Sequence, residues 1–596
     1  MAHTDKIPLK VFWETIEQRL AACSTDELRA ILRAMAHKTS PSGRRAFLSS
    51  LELVEGAAAA LPQAIQQEEL LTDIDDLAQE LGAEMQDADD ADSSPWEERY
   101  EWGGYYDEED SLGPYEEFVE PLVGLFDRAE AAFDYGENPL ARAAYRKLFE
   151  LLAIEDDYGR GVSLSDLAGV EADEAVARYL RAVYETEPLA RRPQALFEQI
   201  RHVHSWLFRS RPMLDDLVQI SPRPLPDREQ FLADWITLLR TQDAPSGSDV
   251  DAWLREAVRL SQGTPGLEAL ARAEGQTRPR AYLDWFAALE QEGKHREVLA
   301  AAWEALQALP ARLSIRAAIA EHLCAAAARL DEAEALRLGR WEAFVAKPTL
   351  SRLLDLWDVG VDEAERTALM QRAAEHIRDY LAHPPSRRDE IVRGDDGLER
   401  PAWIDRSVLA HACLLAGDWD AAHRLAAQGK VLGWSSGERH QGLVVGAFLV
   451  LLSGKAPETL PPNLMQFWQW RVQYSVTTWG WEDEGKSSTR ERLERAYAER
   501  FAAAALSTKQ QKRFLSWCLD VARQRVDAIV GNKHRGSYDK AAVLTVACAE
   551  VLRLRGDKVA ASMLVDDVRG RFPRHRAFQA EVKIALQRME HKEKPK

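Results

Sequence analysis

The octapeptide Trp303-Glu304-Ala305-Leu306-Gln307-Ala308-Leu309-Pro310 returns thirty-eight residues later as Trp341-Glu342-Ala343-Phe344-Val345-Ala346-Lys347-Pro348. A spaced copy of this kind means that one local unit is built more than once. A unit of that length holds two helices and a turn but no hydrophobic core of its own, so its copies must stack. The first copy shows how. Tyr282, Trp285, Phe286 and Leu289 form one helical stripe, a turn follows at Gly293-Lys294-His295, and Val298, Ala301, Ala302, Ala305 and Leu306 form the next. Small alanines let the helices cross closely, and the proline stops the second one. A weaker third copy ends at Ala382-His383-Pro384, and the turn chemistry recurs at Gly417-Asp418-Trp419-Asp420 and Gly556-Asp557-Lys558. Leu544, Ala547, Cys548, Val551 and Leu552 precede that last turn, Ala560, Met563, Leu564 and Val568 follow it, and a helix from Ala577 to Met589 is placed to cap the stack.

The expected fold is therefore all-α, an α-solenoid of helix-turn-helix repeats of the tetratricopeptide kind in two or more domains. A chain of 596 residues exceeds what one core organises. Residues 1–82 read as a helical module, with a capping box from Ser24 to Glu27 ahead of Leu28, Ile31, Leu32 and Met35, and a helix start at Ser40-Pro41. Residues 83–112 interleave carboxylates with Trp96, Tyr100, Trp102, Tyr105 and Tyr106, and read as a disordered acidic linker. A helical domain follows over 113–245, the repeats over 250–430, and a basic helical-repeat domain over 441–596. Ala244–Asp249, Pro385–Pro401 and Val431–His440 have linker composition, with a hinge expected near Gly433. Val472 to Thr478 is the one stretch with strand-like composition.

Charge divides the chain. Residues 501–596 hold twenty Lys and Arg against ten Asp and Glu, a balance of +10, whereas the whole chain stands at −21 and the first 500 residues at −31. The overall balance argues against general nucleic-acid binding, which relies on Lys and Arg against phosphate. The C-terminal end is another matter: Lys533, Arg535, Arg569, Arg571, Arg574 and Arg576 form a candidate basic binding strip for nucleic acid or an acidic protein segment. Five scattered cysteines in apolar helical contexts suit buried, reduced thiols of a cytoplasmic protein. The N-terminus lacks the pattern of a secretory signal, and the longest apolar run, Leu443 to Leu452, is too short to span a bilayer, so no membrane partner is expected.

Two motif matches point toward enzymes and fail on their surroundings. Gly480, Gly485, Lys486 and Ser487 satisfy the phosphate-loop pattern, with Val472–Thr478 in the place of its strand. The residues between the glycines include Glu482, Asp483 and Glu484, which would repel a polyphosphate. Gly433-Trp434-Ser435-Ser436-Gly437 satisfies the nucleophile elbow but follows a helix, Ala421 to Lys430, instead of a strand. His202 and His204 face different sides of a helix, His376 and His383 lack a metal-binding spacing, and Asp156-Asp157-Tyr158-Gly159-Arg160 lacks the ligand order of a calcium loop. The expectation is a non-enzyme with no catalytic residues, no cofactor and no metal.

Three stretches, LFDRAEAAFDYGENPLARAAYRKLFELLAIEDDYGRGV, GWSSGERHQGLVVGAFLVLLSG and IVGNKHRGSYDKAAVLTVACAEVLRLRG with its RFPRHRAFQAEVKIAL ending, resemble repeat regions of large bacterial proteins of uncharacterised function, some with a SWIM zinc finger. The ligands of that finger are absent here, so its nucleic-acid role does not carry over. In length, helical build and two-ended organisation the chain also resembles the helical protein of type III-E CRISPR loci that is cut by a caspase-like protease. That resemblance implies a role in antiviral defence, with fragments that regulate a sigma factor, and a cleavage point in a loop within Gln428 to His440. The candidate protease-sensitive residues are Gln428, Gly429, Lys430, Val431 and Leu432. The function expected is a protein-binding scaffold or regulatory adaptor, the alternative a nucleic-acid-associated factor using the C-terminal strip.

Overall fold

The computed structural model describes residues 67–90, 113–154, 162–202, 211–242, 244–384, 398, 401–428, 432, 439–476 and 486–591. Among these the protein is all-α, with no strand and one isolated antiparallel bridge, Leu313 to Pro401. The helices are α1 (Gln67–Asp90), α2 (Val119–Asp134), α3 (Asn138–Leu151), α4 (Ala172–Thr186), α5 (Arg192–His202), α6 (Leu214–Gln219), α7 (Arg228–Thr241), α8 (Asp249–Glu274), α9 (Arg280–Gln291), α10 (His295–Ala308), α11 (Ile315–Arg329) and α12 (Ala333–Ala346). They continue as α13 (Leu350–Val359), α14 (Glu363–Ala382), α15 (Arg406–Leu415), α16 (Trp419–Ala427), α17 (Arg439–Ser453), α18 (Pro462–Val476), α19 (Lys486–Ala502), α20 (Thr508–Val526), α21 (Tyr538–Leu554), α22 (Lys558–Arg571) and α23 (Arg576–His591).

One backbone turn closes six of the helical connections. Gly136, Gly293, Asp331, Gly417, Lys533 and Gly556 are left-handed, with φ between +56° and +88°. After each, the next amide donates to the carbonyl five residues back: Glu137 to Ala132, Lys294 to Leu289, Glu332 to Ala327, Asp418 to Cys413, His534 to Ile529 and Asp557 to Leu552, all at 2.9–3.0 Å. This is the Schellman arrangement, which satisfies carbonyls left over at the helix end and turns the chain back. Glycine enters the left-handed region without steric cost, which explains four of the six positions. At two of the six the residue after the turn also caps the next helix: Asp418 accepts from the Ala421 amide at 3.0 Å and Asp557 from that of Ala560 at 2.9 Å.

The described helices fall into two compact units, the first running to Ala244 with Ser248–Leu267, the second comprising Pro245–Gly247 and Glu268 onward. In the first, α1 lays Leu70, Ile74, Leu77 and Leu81 inward, and the rings of Phe126, Tyr145, Phe149 and Tyr179 pack among α2, α3 and α4. Arg181, wholly buried, donates to the Leu217, Arg223 and Pro224 carbonyls at 2.7–3.1 Å and so fixes the segment after α6. The buried carboxylate of Glu256 caps α6, accepting from the amides of Leu214 and Asp215 at 2.9 Å each. Within α8 the backbone breaks at Gly263 (φ +62°), two residues before Pro265.

In the second unit the octapeptide copies occupy equivalent places at the ends of α10 and α12. Glu304 pairs with Arg272 at 3.0 Å and Glu342 with Arg316 at 2.7 Å, while the Arg372 guanidinium lies 3.6 Å over the Trp341 ring. A Cβ at Gly339 would stand 2.6 Å from Leu323 and 2.7 Å from the Cys324 sulfur, so this glycine sets how closely α11 and α12 approach. One continuous core then runs from Phe344 to Met589, with α21 buried along nearly its whole length against α18, α20, α22 and α23. Glu550 of α21 caps α18 from outside, accepting from the amides of Asn463 (3.2 Å) and Leu464 (2.8 Å) and from Asn463 Nδ2 (2.7 Å).

Three expectations need correction. Val472 to Val476 is the last turn of α18, because Arg471 and Val472 pack inward at helical spacing with Phe467 and Trp468; the strand of a phosphate loop is therefore absent. Residues 83–90 continue α1 and do not begin a linker, as the helix-forming run Ala83-Glu84-Met85-Gln86 favours. The hinge expected near Gly433 does not separate two cores: Leu432 is buried in the shared core, and α16 and α17 on either side pack together. Residues 1–66, the aromatic-acidic stretch from 91 to 112, Asp156–Arg160, most of Pro385–Pro401, Gly433–Gly437 and Gly480–Gly485 lie outside the described residues.

Candidate functional site

Of the predicted basic residues at the end of the chain, the structure brings Arg569 and Arg576 together around one depression. Past α20 the backbone widens into a π-turn, Asp527–Gly531, and then takes the left-handed turn at Lys533. The Asp527 carboxylate forms an ion pair with Arg571 at the end of α22. That pair ties the start of the π-turn to the end of α22; Lys533 and Arg535 follow in the loop after it, while Arg569 lies in the last turn of α22, Arg574 in the connection and Arg576 at the start of α23. Gln579 seals the end of α22, donating to the carbonyls of Arg569 (3.0 Å) and Phe572 (3.2 Å) while its Oε1 accepts from Arg569 Nε at 2.9 Å. Asp566, Arg569, Gly570, Pro573, Arg576 and Gln579 line a shallow, open depression there.

The six cations are not equivalent. Arg571 is neutralised by Asp527, and this carboxylate raises its pKa further. Lys533, Arg535, Arg569, Arg574 and Arg576 stand exposed without a carboxylate partner. The outer face of α22 is mixed: two large apolar side chains stand there with Lys558, Ser562, Asp566 and Asp567, which are also exposed. Val559 and Met563, one helical turn apart, are 70% and 66% exposed, and Leu554 before the turn is 42% exposed. The sequence pattern read Met563 as a packed residue; the structure turns it outward, because α22 packs chiefly on α21 through Ala561, Leu564, Val565 and Val568.

The remaining predicted residues are not assembled into a centre. Gln428 is the exposed C-cap of α16, Leu432 is buried, and Gly429, Lys430 and Val431 lie outside the described residues. Ser435 lies outside them too, and Lys486 begins α19. His376 is half-buried against Trp341, Phe344 and Tyr380 with its Nε2 3.2 Å from the Val345 carbonyl, and burial lowers its pKa. His383 is exposed beside Asp379. Cys324, Cys413, Cys518 and Cys548 are free and buried. Among the described residues no three His, Cys, Asp or Glu side chains are grouped to hold a metal ion, and no helix is long and apolar enough to cross a membrane.

Fold and edge together define an all-α protein of stacked helical hairpins. No protein-family model and no curated protein sequence matches the chain. Among solved structures it is similar to one described as a circular tandem repeat protein with novel repeat topology and enhanced subunit contact surfaces. The two are 13% identical over 89% of this chain and 98% of that one, with a TM-score of 0.13, too low to bear on fold or function.

Proposed function

We propose that the chain is a non-enzymatic binding scaffold whose C-terminal edge takes an acidic segment of a partner protein that also offers an apolar anchor. The observation that carries this reading is that the last helices expose both cations without a carboxylate partner and the large apolar side chains Val559 and Met563. Exposed methyl and thioether groups seek apolar burial, and exposed cations steer an acidic partner. Nucleic acid competes for the same cations, but a phosphate backbone gives Val559 and Met563 nothing to bury against.

The test uses the full chain in its native cell with a photo-crosslinking residue at Met563 or, as control, at exposed Glu375. Protein adducts should form at position 563 and fall when Arg569→Glu and Arg576→Glu are added. Equal labelling at both positions, or adducts made of nucleic acid, would refute the reading. Control by proteolysis within 428–432, with a caspase-like protease as agent and a sigma factor downstream, belongs to the same proposal as its finer form. It requires that Leu432 leave the core before a protease can seat the strand. Incubation with such a protease that leaves the chain intact removes that finer form alone.

A further inference from the structure

Eight arginines are buried among the described residues, and six of them have a carboxylate: Arg178 with Glu130 and Glu174, Arg181 with Glu185, Arg192 with Asp227, Arg255 with Asp251, Arg316 with Glu342, and Arg500 with Glu363. Arg471 and Arg525 have none. They are 5% and 2% exposed, and Arg471 Nε and both Nε and Nη1 of Arg525 are without any acceptor.

These two exceptions are neighbours, brought together by α17. Phe514 of α20 stacks on Phe448 of α17 at 4.1 Å, and the Cys518 sulfur lies 4.0 Å from the Val445 carbonyl, so α20 runs back along α17 toward its start. Arg525, two turns beyond Cys518, comes close enough to Arg471 for the two charges to act on each other. Arg471 of α18 lies against the first turn of α17: a Cβ at Gly442 would stand 2.6 Å from its Nη1, and one at Gly446 would stand 3.3 Å from its Cγ. The rings of Phe467 and Tyr474 hold its guanidinium at 5.0 and 5.1 Å.

Two guanidiniums thus act on each other, and one of them lies against the amino end of a fifteen-residue helix, whose first-turn amides add to the positive potential. Burial, aided by the charge of Arg471, lowers the pKa of Arg525 to about 9, and burial lowers that of Arg471 to about 10. Both therefore stay charged at neutral pH. Among the described residues the one carboxylate that acts on Arg525 is Asp539, and it does so without a hydrogen bond. Unpaired buried charge is expensive, and two like charges more so. A hydrophobic pair of the same volume would serve the core better.

We propose that Arg471, Arg525 and the first turn of α17 form a binding site for a dianionic oxyanion, inorganic phosphate or the phosphate end of a monoester. Two guanidinium forks match the charge and the several acceptor oxygens of such a group, a helix amino end supplies further donors, and Gly442 lets the Arg471 guanidinium lie against the backbone there. The site is distinct from the C-terminal edge and stands whether or not that edge binds a protein.

Calorimetric titration of the full chain at constant ionic strength tests it, with inorganic phosphate, phosphoserine and chloride as probes. Phosphate should bind saturably, one per chain, and raise the melting temperature, while chloride does neither. Phosphoserine binding as tightly would mark a monoester site, and phosphoserine excluded would mark a free-anion site. Arg471→Met and Arg525→Met, which remove an unpaired charge and keep the volume, should fold by circular dichroism and each weaken phosphate at least tenfold. Arg296→Gln, on the exposed surface of α10, should leave phosphate binding unchanged. A wild-type chain indifferent to phosphate overturns the proposal, as does equal binding by the Met variants. So does binding that appears only after Glu482→Gln, Asp483→Asn and Glu484→Gln, because the chain's own carboxylates would then be the occupant.

Discussion

Glu550→Ala removes one carboxylate that holds three helices in place. Its oxygens accept from two backbone amides at the start of α18 and from Asn463 Nδ2, and Asn463 in turn donates to the Ala585 carbonyl of α23 at 2.9 Å. Asn463 is wholly buried, so no water replaces the lost acceptor. A hydrogen bond to a charged group contributes about 1.5–3 kcal/mol, and each buried donor left unmet costs roughly 1–3 kcal/mol. Allowing for partial relaxation and for overlap between these terms, the expected loss is about 4 kcal/mol from the second unit. With a urea slope of about 3 kcal/mol per molar, the midpoint should fall by roughly 1.3 M. Glu550→Gln keeps the shape and one acceptor but points an amide at donors, so it should fall between. The assay is urea unfolding followed by hydrogen exchange of peptides from α18 and α21, which isolates this unit from the other. A Glu550→Ala chain within 1 kcal/mol (~0.3 M) of wild type would show that α18 does not depend on this cap.

The left-handed turns predict an asymmetry: Gly293→Ala, with nothing near the new methyl, should cost about 1 kcal/mol, whereas Asp331→Gly should be neutral or stabilising, both read by chemical denaturation. Burial pushes the Glu256 carboxyl up to about 7 from 4.5, against the pull of its two amide donors. The folded first unit therefore holds a proton that the unfolded chain has released. Its stability should be fullest below pH 4.5 and decline by about 3 kcal/mol up to pH 7, a slope that Glu256→Gln should remove in hydrogen exchange of α6 and α8. Burial raises the pKa of Cys324 to about 11 and that of Cys548 to about 12, and also raises those of Cys413 and Cys518. All four should resist maleimide in the native chain and label at once in urea; native labelling at any of them would mean that its helix opens.

The helical hairpins were legible because their turns carry glycine and their stripes have helical spacing. Gly293, Gly417 and Gly556 each mark a turn that the structure closes in the same way. Asp331 and Lys533 make that turn without glycine and left no comparable sign. Val472 to Val476 misled because β-branched and aromatic residues suit strands; tertiary packing of Val472 and Phe467 overrode that preference. Met563 misled because helical spacing names a face without saying whether a neighbour covers it. The Arg471–Arg525 pair was invisible for a stronger reason: the two residues lie on separate helices, and only folding along α17 makes them adjacent. The sign available beforehand was an arginine in the aromatic run Phe467-Trp468-Gln469-Trp470-Arg471, with Gly442 and Gly446 one turn apart on an apolar helix elsewhere.

The continuous core from Phe344 to Met589 bears on what a cut in the 428–432 stretch would achieve. Stacking of Phe448 on Phe514 lies on one side of the cut, but Arg492 with Asp355 and Asp358, Arg366 with Glu499, and Asp420 with Arg513 all join the two sides. A nicked chain would therefore behave as a two-piece protein held by mass action. Its halves would part on dilution or when a competitor captured one of them, and severing the peptide bond alone would not free them.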